Sequence, residues 1–362
     1  MVDRKAELYV PAVASFKGDL ETRHTLLEPA RQEGFLTGLM LVVREPSDLK
    51  LSSVRKQLDN LDPYVKKSTE ERPVVFLMHP NMPIDKFNFF KDPEFSQDYV
   101  EQSIAFASML PQEMRPKTGN AVSFHLNTLV TPAEWVADPD YWQKAFETVE
   151  AKIKSLVEYG ARYGVKIAIE TTPISEFGDI RRDKEHQLSD GTHWSDLGNP
   201  WPLLPWRDEI VKLRQVGSGL AIDWCHSYVA LGAVEEVKKL TTKGKGEEAK
   251  AAYMVFDGDL KNPDLRKNFA DVVLGMTQPG DIWHINDAKG VHRKYELSHV
   301  RTYFQEGVSL GKGDIPQSQQ DRLLREGVNL PIKMVIEVHE KKDEFEKSPN
   351  TKASLQTLLS RL

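Results

Sequence analysis

KIAI at residues 166–169 and GLAI at residues 219–222 share one pattern: a short apolar run with no polar alternation, closed by a carboxylate, Glu170 in one and Asp223 in the other. Such runs suit strands buried on both faces. Six more occur, at Leu8–Ala14, Gly38–Val43, Val74–Met78, Ala121–Phe124, Asp281–Trp283 and Lys333–Ile336. Between them lie helix-like stretches. In Asp140–Gly164, Trp142, Phe146, Val149, Ile153 and Val157 recur at three- or four-residue spacing, with Asp140 as a cap and Gly160 and Gly164 as stops. Asp92–Leu110, Gln317–Leu330 and Lys352–Leu362 read the same way. Strict alternation of strand and helix implies a parallel sheet. Eight units predict closure into a (β/α)8 TIM barrel. The rival is an open doubly wound sheet, whose Gly-rich phosphate loop is missing from Val10–Asp19.

The rest of the chain agrees with this outline. A barrel needs about 250 residues, and the 362 present allow a single domain over 1–362 with long βα loop insertions. The net charge of -6 argues weakly against a general polyanion binder. One cysteine, Cys225, excludes an internal disulfide framework and fits a reducing compartment. The longest apolar segment, Gly34–Val43, is too short to cross a bilayer. Arg4 and Lys5 ahead of Leu8–Ala14 mimic a signal peptide, but Asp3, Glu7 and Pro11 favour a buried first strand. The expected location is cytoplasmic. Two connections exceed simple loops. Phe177–Pro205 carries Arg181, Arg182, His186, His193, Trp194 and Trp201 and follows a strand end, where it could cover the barrel mouth. Val229–Gly280 contains the charge-rich Lys238–Lys250, read as a solvated helix face and loop.

The chemistry is written at the strand ends. Six of the eight runs lead into a residue able to bind a metal: His79, His125, Glu170, Asp223, His284 and Glu337. In a barrel the C-terminal strand ends form the active-site face, so these side chains converge. Singly, a strand-end His reads as a hydrogen-bonded structural residue and a carboxylate as a helix cap. Together, three carboxylates with no matching Lys or Arg at strand ends need a cation. The mixed N/O set suits Zn, Mn, Co or Fe, with Mg the weaker fit.

The segments IAIETTP, AIDWCHSY, WHINDAKG, SLGKGDIP and MVIEVHE resemble the xylose-isomerase-like TIM-barrel superfamily, which includes sugar isomerases and epimerases and the endonuclease IV type nucleases. The resemblance runs from about Val74 to His339. It implies that Glu170, Asp223, His284 and Glu337 form a four-ligand metal site. It further implies that His79 and His125, with Glu170 bridging, complete a second metal position, giving one or two divalent ions. His226 matches a residue that contacts substrate in epimerases and binds a further zinc in the nucleases. Asp287 matches the Asp of a His-x-Asn-Asp motif that supports the ligands.

One departure stands out. The nucleases place an Asp-x-His pair just before a Gly-x-Gly turn, to hold a third zinc. Here Gln305, Glu306, Gly307, Val308 and Ser309 precede Leu310-Gly311-Lys312-Gly313. His292 or His299, in the lengthened Lys289–Ser309 loop, do not match the spacing. The Gly311–Asp314 turn lacks the pattern of a phosphate-binding P-loop. Lys289 and Arg293 follow a strand end and either hold an anionic substrate group or are solvated surface charge. Cys225 is expected in the core, on the side of a strand opposite Asp223.

The expected function is a metal-dependent isomerase or epimerase of a sugar or related polyol or keto compound, working through an enediolate. Glu170 and Glu337 would exchange the proton next to the carbonyl, and His226 would hydrogen-bond a substrate oxygen. Sugar-derived lyases use the same logic. The alternative is an endonuclease IV-like phosphodiesterase on abasic-site DNA. It is favoured by His79 and His125 and opposed by the missing pair and the lack of a basic stripe with interleaved aromatics. A catalytically dead barrel serving as a scaffold is the third reading. The expected partner is a small molecule, with nucleic acid the less favoured alternative and no membrane, in a chain that could pair as a homodimer.

Overall fold

The computed structural model describes residues 5–69, 74–81, 86–137, 139–174, 187–188, 190–262, 265–296, 299–341, 344 and 347–362. Each predicted apolar run is a strand. These are β1 (Glu7–Ala12), β2 (Leu36–Val43), β3 (Val74–Pro80), β4 (Ala121–His125), β5 (Lys166–Glu170), β6 (Gly219–Asp223), β7 (Ile282–Ile285) and, after an antiparallel ribbon of β8 (Asp287–Glu296) and β9 (His299–Val308), β10 (Lys333–Ile336). The eight core strands close in the order β1-β10-β7-β6-β5-β4-β3-β2, and every pairing is parallel. This excludes the open sheet.

Helices fill the connections: α1 (Lys17–Leu26), α2 (Glu28–Gln32), α3 (Leu51–Lys67), α4 (Pro93–Ser108), α5 (Pro132–Ala137), α6 (Pro139–Arg162), α7 (Asp208–Gln215), α8 (Trp224–Thr241), α9 (Gly246–Tyr253), α10 (Phe269–Met276), α11 (Gln317–Gly327) and α12 (Pro349–Ser360). Asp92 caps α4, its carboxylate accepting from Phe95 N. Phe146, Val149, Ile153 and Leu156 bury the inner stripe of α6. Asp140 falls inside that helix rather than capping it, because Pro139 already suits the first turn. Gly160 is likewise inside the helix. A Cβ there would lie 2.5 Å from Val165 O, so the glycine allows the chain to return closely into β5. Gly164, at φ +66°, makes the actual stop.

Side chains on alternate strand positions point into the barrel. Tyr9, Met40, Val75, Leu77, Ala121, Ala168, Ala221, Ile282 and Val335 form the inner plug. Beneath it lie buried Glu7 and Lys333, neighbours in register. The Tyr9 hydroxyl donates to Glu7 at 2.8 Å, and Lys333 Nζ donates to Gly280 O at 3.1 Å. The packed interior leaves the C-terminal rim as the place for a site.

Val229–Gly280 agrees with its reading as helix and loop, whereas Lys289–Ser309 differs from its reading as a loop. Val229–Gly280 is mostly helical, built from α8, α9 and α10 on the outside of the barrel, so its length is not spent at the mouth. Lys289–Ser309 is the β8–β9 ribbon instead of a loop, paired from Asp287↔Val308 to Glu296↔His299. In the Phe177–Pro205 connection, Arg181, Arg182 and His186 lie outside the described residues. Its described part bridges Val130 through Gly198 and buries Trp201 between Phe90 and Phe146. Among the described residues, no helix is long and apolar enough to cross a membrane.

Candidate metal centre

Strand register gathers the predicted ligands. His125 lies beside Glu170 across β4 and β5, and Asp223 beside His284 across β6 and β7. Glu337 follows β10 and donates its backbone N–H to Ile285 O at 3.2 Å. With His79 from the end of β3, five of the six side chains line one cavity of about 250 Å³ at the mouth, and His284, fully buried, lies behind Glu170 and Glu337.

Glu170, 1% exposed, is the hub. Its Oε1 lies 3.0 Å from His284 Nδ1, 3.1 Å from His125 Nε2 and 3.5 Å from His226 Nδ1, and its Oε2 lies 3.8 Å from His79 Nε2. His284 Nδ1 also lies 2.5 Å from Glu337 Oε2 and 4.0 Å from Asp223 Oδ2. Neighbouring ligands of one ion at about 2.1 Å lie roughly 3 to 4.2 Å apart, so the 3.0 and 4.0 Å separations suit an ion, and the Glu337–His284 contact would open by a fraction of an ångström to admit it. Glu170, Asp223, His284 and Glu337 offer ligand atoms within 4.8 Å of one another. Two buried atoms here lack a hydrogen-bond partner, Glu170 Oε2 and His284 Nε2, while Glu337 Oε2 meets only His284. Orphaned buried acceptors of this kind are costly without a cation. The residues therefore fit a divalent metal.

The groups able to hold an ion do not pair His79 with His125, as the second position implied by the resemblance would. His79 groups with Glu170 and His284, whereas His125 groups with Glu170 and His226. The rings of His79 and His125 stand 6.0 Å apart, and no group among the described residues holds both. Glu170 is common to every group, as a bridging role demands.

Neighbouring residues orient the cluster. His79 Nδ1 donates to Ser123 O at 2.9 Å, leaving Nε2 for the cavity. Asp223 does two things: its Oδ1 caps α8 by accepting from His226 N at 2.7 Å, and its Oδ2 accepts from Asn286 Nδ2 at 2.7 Å. In the His-x-Asn-Asp motif it is thus Asn286 that holds a ligand carboxylate. Asp287 instead anchors the Gly311–Gly313 turn. Cys225 is buried as expected, but in the first turn of α8 and not on a strand.

The charges follow from these contacts. Burial pushes the Glu170 carboxyl up, but His125 and His284 beside it hold its pKa well below the usual range. Burial likewise opposes the ionised Glu337, yet His284 brings it down to about 2. Asp223, more desolvated than paired, is raised.

Sequence reasoning missed Glu306. Its carboxylate, on β9, reaches His226 Nε2 at 3.2 Å, while His226 Nδ1 donates to Thr171 O at 2.9 Å. His226 thus meets acceptors at both ring nitrogens, and both it and Glu306 line the cavity. Glu306 stands in the very stretch where the nuclease pair is absent, but only ribbon pairing carries it over the mouth. Asn127 and His339 also line the cavity. Lys289 is exposed and absent from the lining, and the Arg293 side chain lies outside the described residues.

No protein-family model matches the chain, and no curated protein matches it. Solved structures do. A xylose isomerase domain protein from Planctomyces limnophilus superposes with a TM-score of 0.51 at 13% identity, over 98% of this chain and 96% of the other. A D-tagatose 3-epimerase-like protein gives 0.51 at 16% identity, over 98% and 97%. The 3-keto-D-glucoside 4-epimerase of E. coli gives 0.50 at 13%, over 98% and 100%. At these identities the likeness concerns the fold.

Proposed function

We propose, for a chain that has the fold of the xylose-isomerase-like barrels, that it is a divalent-metal-dependent isomerase or epimerase of a sugar or related polyol or keto compound. The observation that carries this reading is the convergence of Glu170, Asp223, His284 and Glu337 within 4.8 Å at the barrel mouth. These four would hold the ion, with His79 and His125 available around the shared Glu170. Zn, Mn or Co suits the mixed imidazole and carboxylate set better than Mg. When bound, the ion supplies Lewis-acid polarisation of a carbonyl and its neighbouring hydroxyl.

The chain's own residues supply the proton handling. Glu170 and Glu337 come from β5 and the end of β10, with β6 and β7 between them. They therefore approach a bound carbon from two sides, one placed to take the proton beside the carbonyl and the other to return it. His226, fixed through Nδ1 by Thr171, would turn its Nε2 from Glu306 to a substrate oxygen. The whole chain acts as one domain, on a small molecule.

Phosphodiester cleavage is the weaker reading. His226 is engaged by Glu306, and the Glu306 carboxylate at the rim repels a phosphate backbone. The test assays the metal-loaded protein against a ketose and polyol panel and an abasic-site DNA duplex. Turnover of a ketose, abolished in Glu170→Gln, is expected. Robust cleavage of the duplex would replace this reading with the nuclease one.

A further inference from the structure

One polar side chain in the cavity wall has no partner in either the fold or the metal cluster. Asn127 lies two residues past the end of β4, is 1% exposed and lines the cavity. Neither its Oδ1 nor its Nδ2 has a hydrogen-bond partner. Only its backbone is engaged, Asn127 O accepting from Phe89 N at 2.9 Å. Two other asparagines nearby are satisfied on both edges. Asn88 Nδ2 donates to Leu129 O and its Oδ1 accepts from Phe90 N. Asn199 Nδ2 donates to Leu126 O and its Oδ1 accepts from the Thr128 hydroxyl. Buried amides are almost always paired, because the desolvation cost is otherwise uncompensated.

We infer that Asn127 is a substrate-binding, specificity-determining residue whose carboxamide takes the hydroxyl-bearing segment of a neutral polyol or ketose. The inference rests on the reading of the site as a sugar-modifying centre. It follows from what can satisfy a bare amide, which offers a donor and an acceptor side by side. A hydroxyl, or two adjacent hydroxyls, answers both. A phosphate or carboxylate only accepts and leaves Oδ1 empty. Glu306 in the same cavity wall is acceptor-only, so it takes a hydroxyl proton and repels an anion. The chain reaches Asn127 directly from His125, whose Nε2 lies 3.1 Å from Glu170. The recognised hydroxyls would therefore lie in the cavity that the cluster lines.

The test uses Asn127→Leu, which keeps the volume and removes both polar atoms. Binding of D-fructose, D-glucitol and D-fructose 6-phosphate to the metal-loaded protein is measured by calorimetry, and unfolding is measured on the metal-free protein. The wild type should bind the neutral probes. The variant should keep its metal stoichiometry, unfold no earlier than the wild type, and lose affinity for the neutral probes by about tenfold or more. Earlier unfolding with unchanged probe affinity would assign Asn127 to the fold and overturn the inference, as would a wild type that binds only the phosphorylated probe. A wild type that loads metal yet binds no probe defeats the sugar reading. The unfolding arm then still decides Asn127: later unfolding in the variant supports a ligand-reserved amide, and earlier unfolding overturns it.

Discussion

Asp287→Asn should be among the most damaging single-atom changes in this protein, although Asp287 touches none of the proposed metal ligands. The Asp287 side chain is 0% exposed and accepts five hydrogen bonds. Its Oδ1 accepts from Ala288 N at 2.9 Å and Ile315 N at 3.1 Å. Its Oδ2 accepts from Gly311 N at 3.1 Å, Gly313 N at 2.9 Å and Gln320 Nε2 at 2.7 Å. An amide can turn its oxygen to only one of these groups. In the better orientation it keeps the three donors at Oδ2 and faces its NH₂ towards two backbone N–H groups. Two bonds to a charged acceptor, each about 1.5–3 kcal/mol, are lost, and three become neutral. The relief of burying no charge offsets part of this. A net loss of about 4 kcal/mol follows, at the upper end for point substitutions. The turn cannot relax around the change, since a Cβ at Gly313 would already lie 2.3 Å from Ala288 O. The assay is urea unfolding, reading the midpoint at constant slope. Asp314→Asn is the control: its exposed carboxylate accepts from Gly290 N alone, and a cost below about 1 kcal/mol is expected. A loss below about 1 kcal/mol for Asp287→Asn would refute the idea that this carboxylate organises the turn.

Two further expectations concern the ends of the barrel. Burial lowers the Lys333 pKa to about 8, against the opposing attraction of Glu7. At pH values above the unfolded pKa of about 10.4 neither state carries the charge. As pH falls, the unfolded chain takes the proton first and stability is lost, until below about 8 both states are charged and the penalty is constant. Lys333→Met should therefore stabilise the protein at pH 7, by at most the order of 3 kcal/mol. Its advantage over the wild type should shrink between pH 8 and 10, measured by unfolding across that range. A constant difference over the range would argue against a buried charge. At the mouth, Mn²⁺ or Zn²⁺ at a hundred times its Kd should stabilise the wild type by about 2.7 kcal/mol. EDTA should reverse the shift and Glu170→Gln should lose most of it. A wild-type unfolding midpoint indifferent to either ion would sink the metal assignment.

The eight strands and their closure are legible in the chain because burial on both faces leaves a run such as Phe76–Met78 or Ala168–Ile169 with no polar alternation, and eight such runs alternate with helical periodicity. The six strand-end ligands follow by the same logic. Once parallel strands close, their last residues must share one rim, and the register sets His125 beside Glu170 and Asp223 beside His284. Other features were decided by distances the linear chain does not carry. Lys289–Ser309 pairs with itself because its two halves complement each other as strands, and that pairing brings Glu306 to His226, 80 residues away in sequence. Asp287 anchors the Gly311–Gly313 turn rather than supporting a ligand because five donors from later in the chain, or from its immediate neighbour, fold around it. Asn127 shows its vacant carboxamide only in the folded chain, where neither Oδ1 nor Nδ2 meets a partner. Local pattern is enough to place a side chain on a strand end. Which atoms it then meets depends on contacts between segments far apart in sequence, and those exist only in the folded chain.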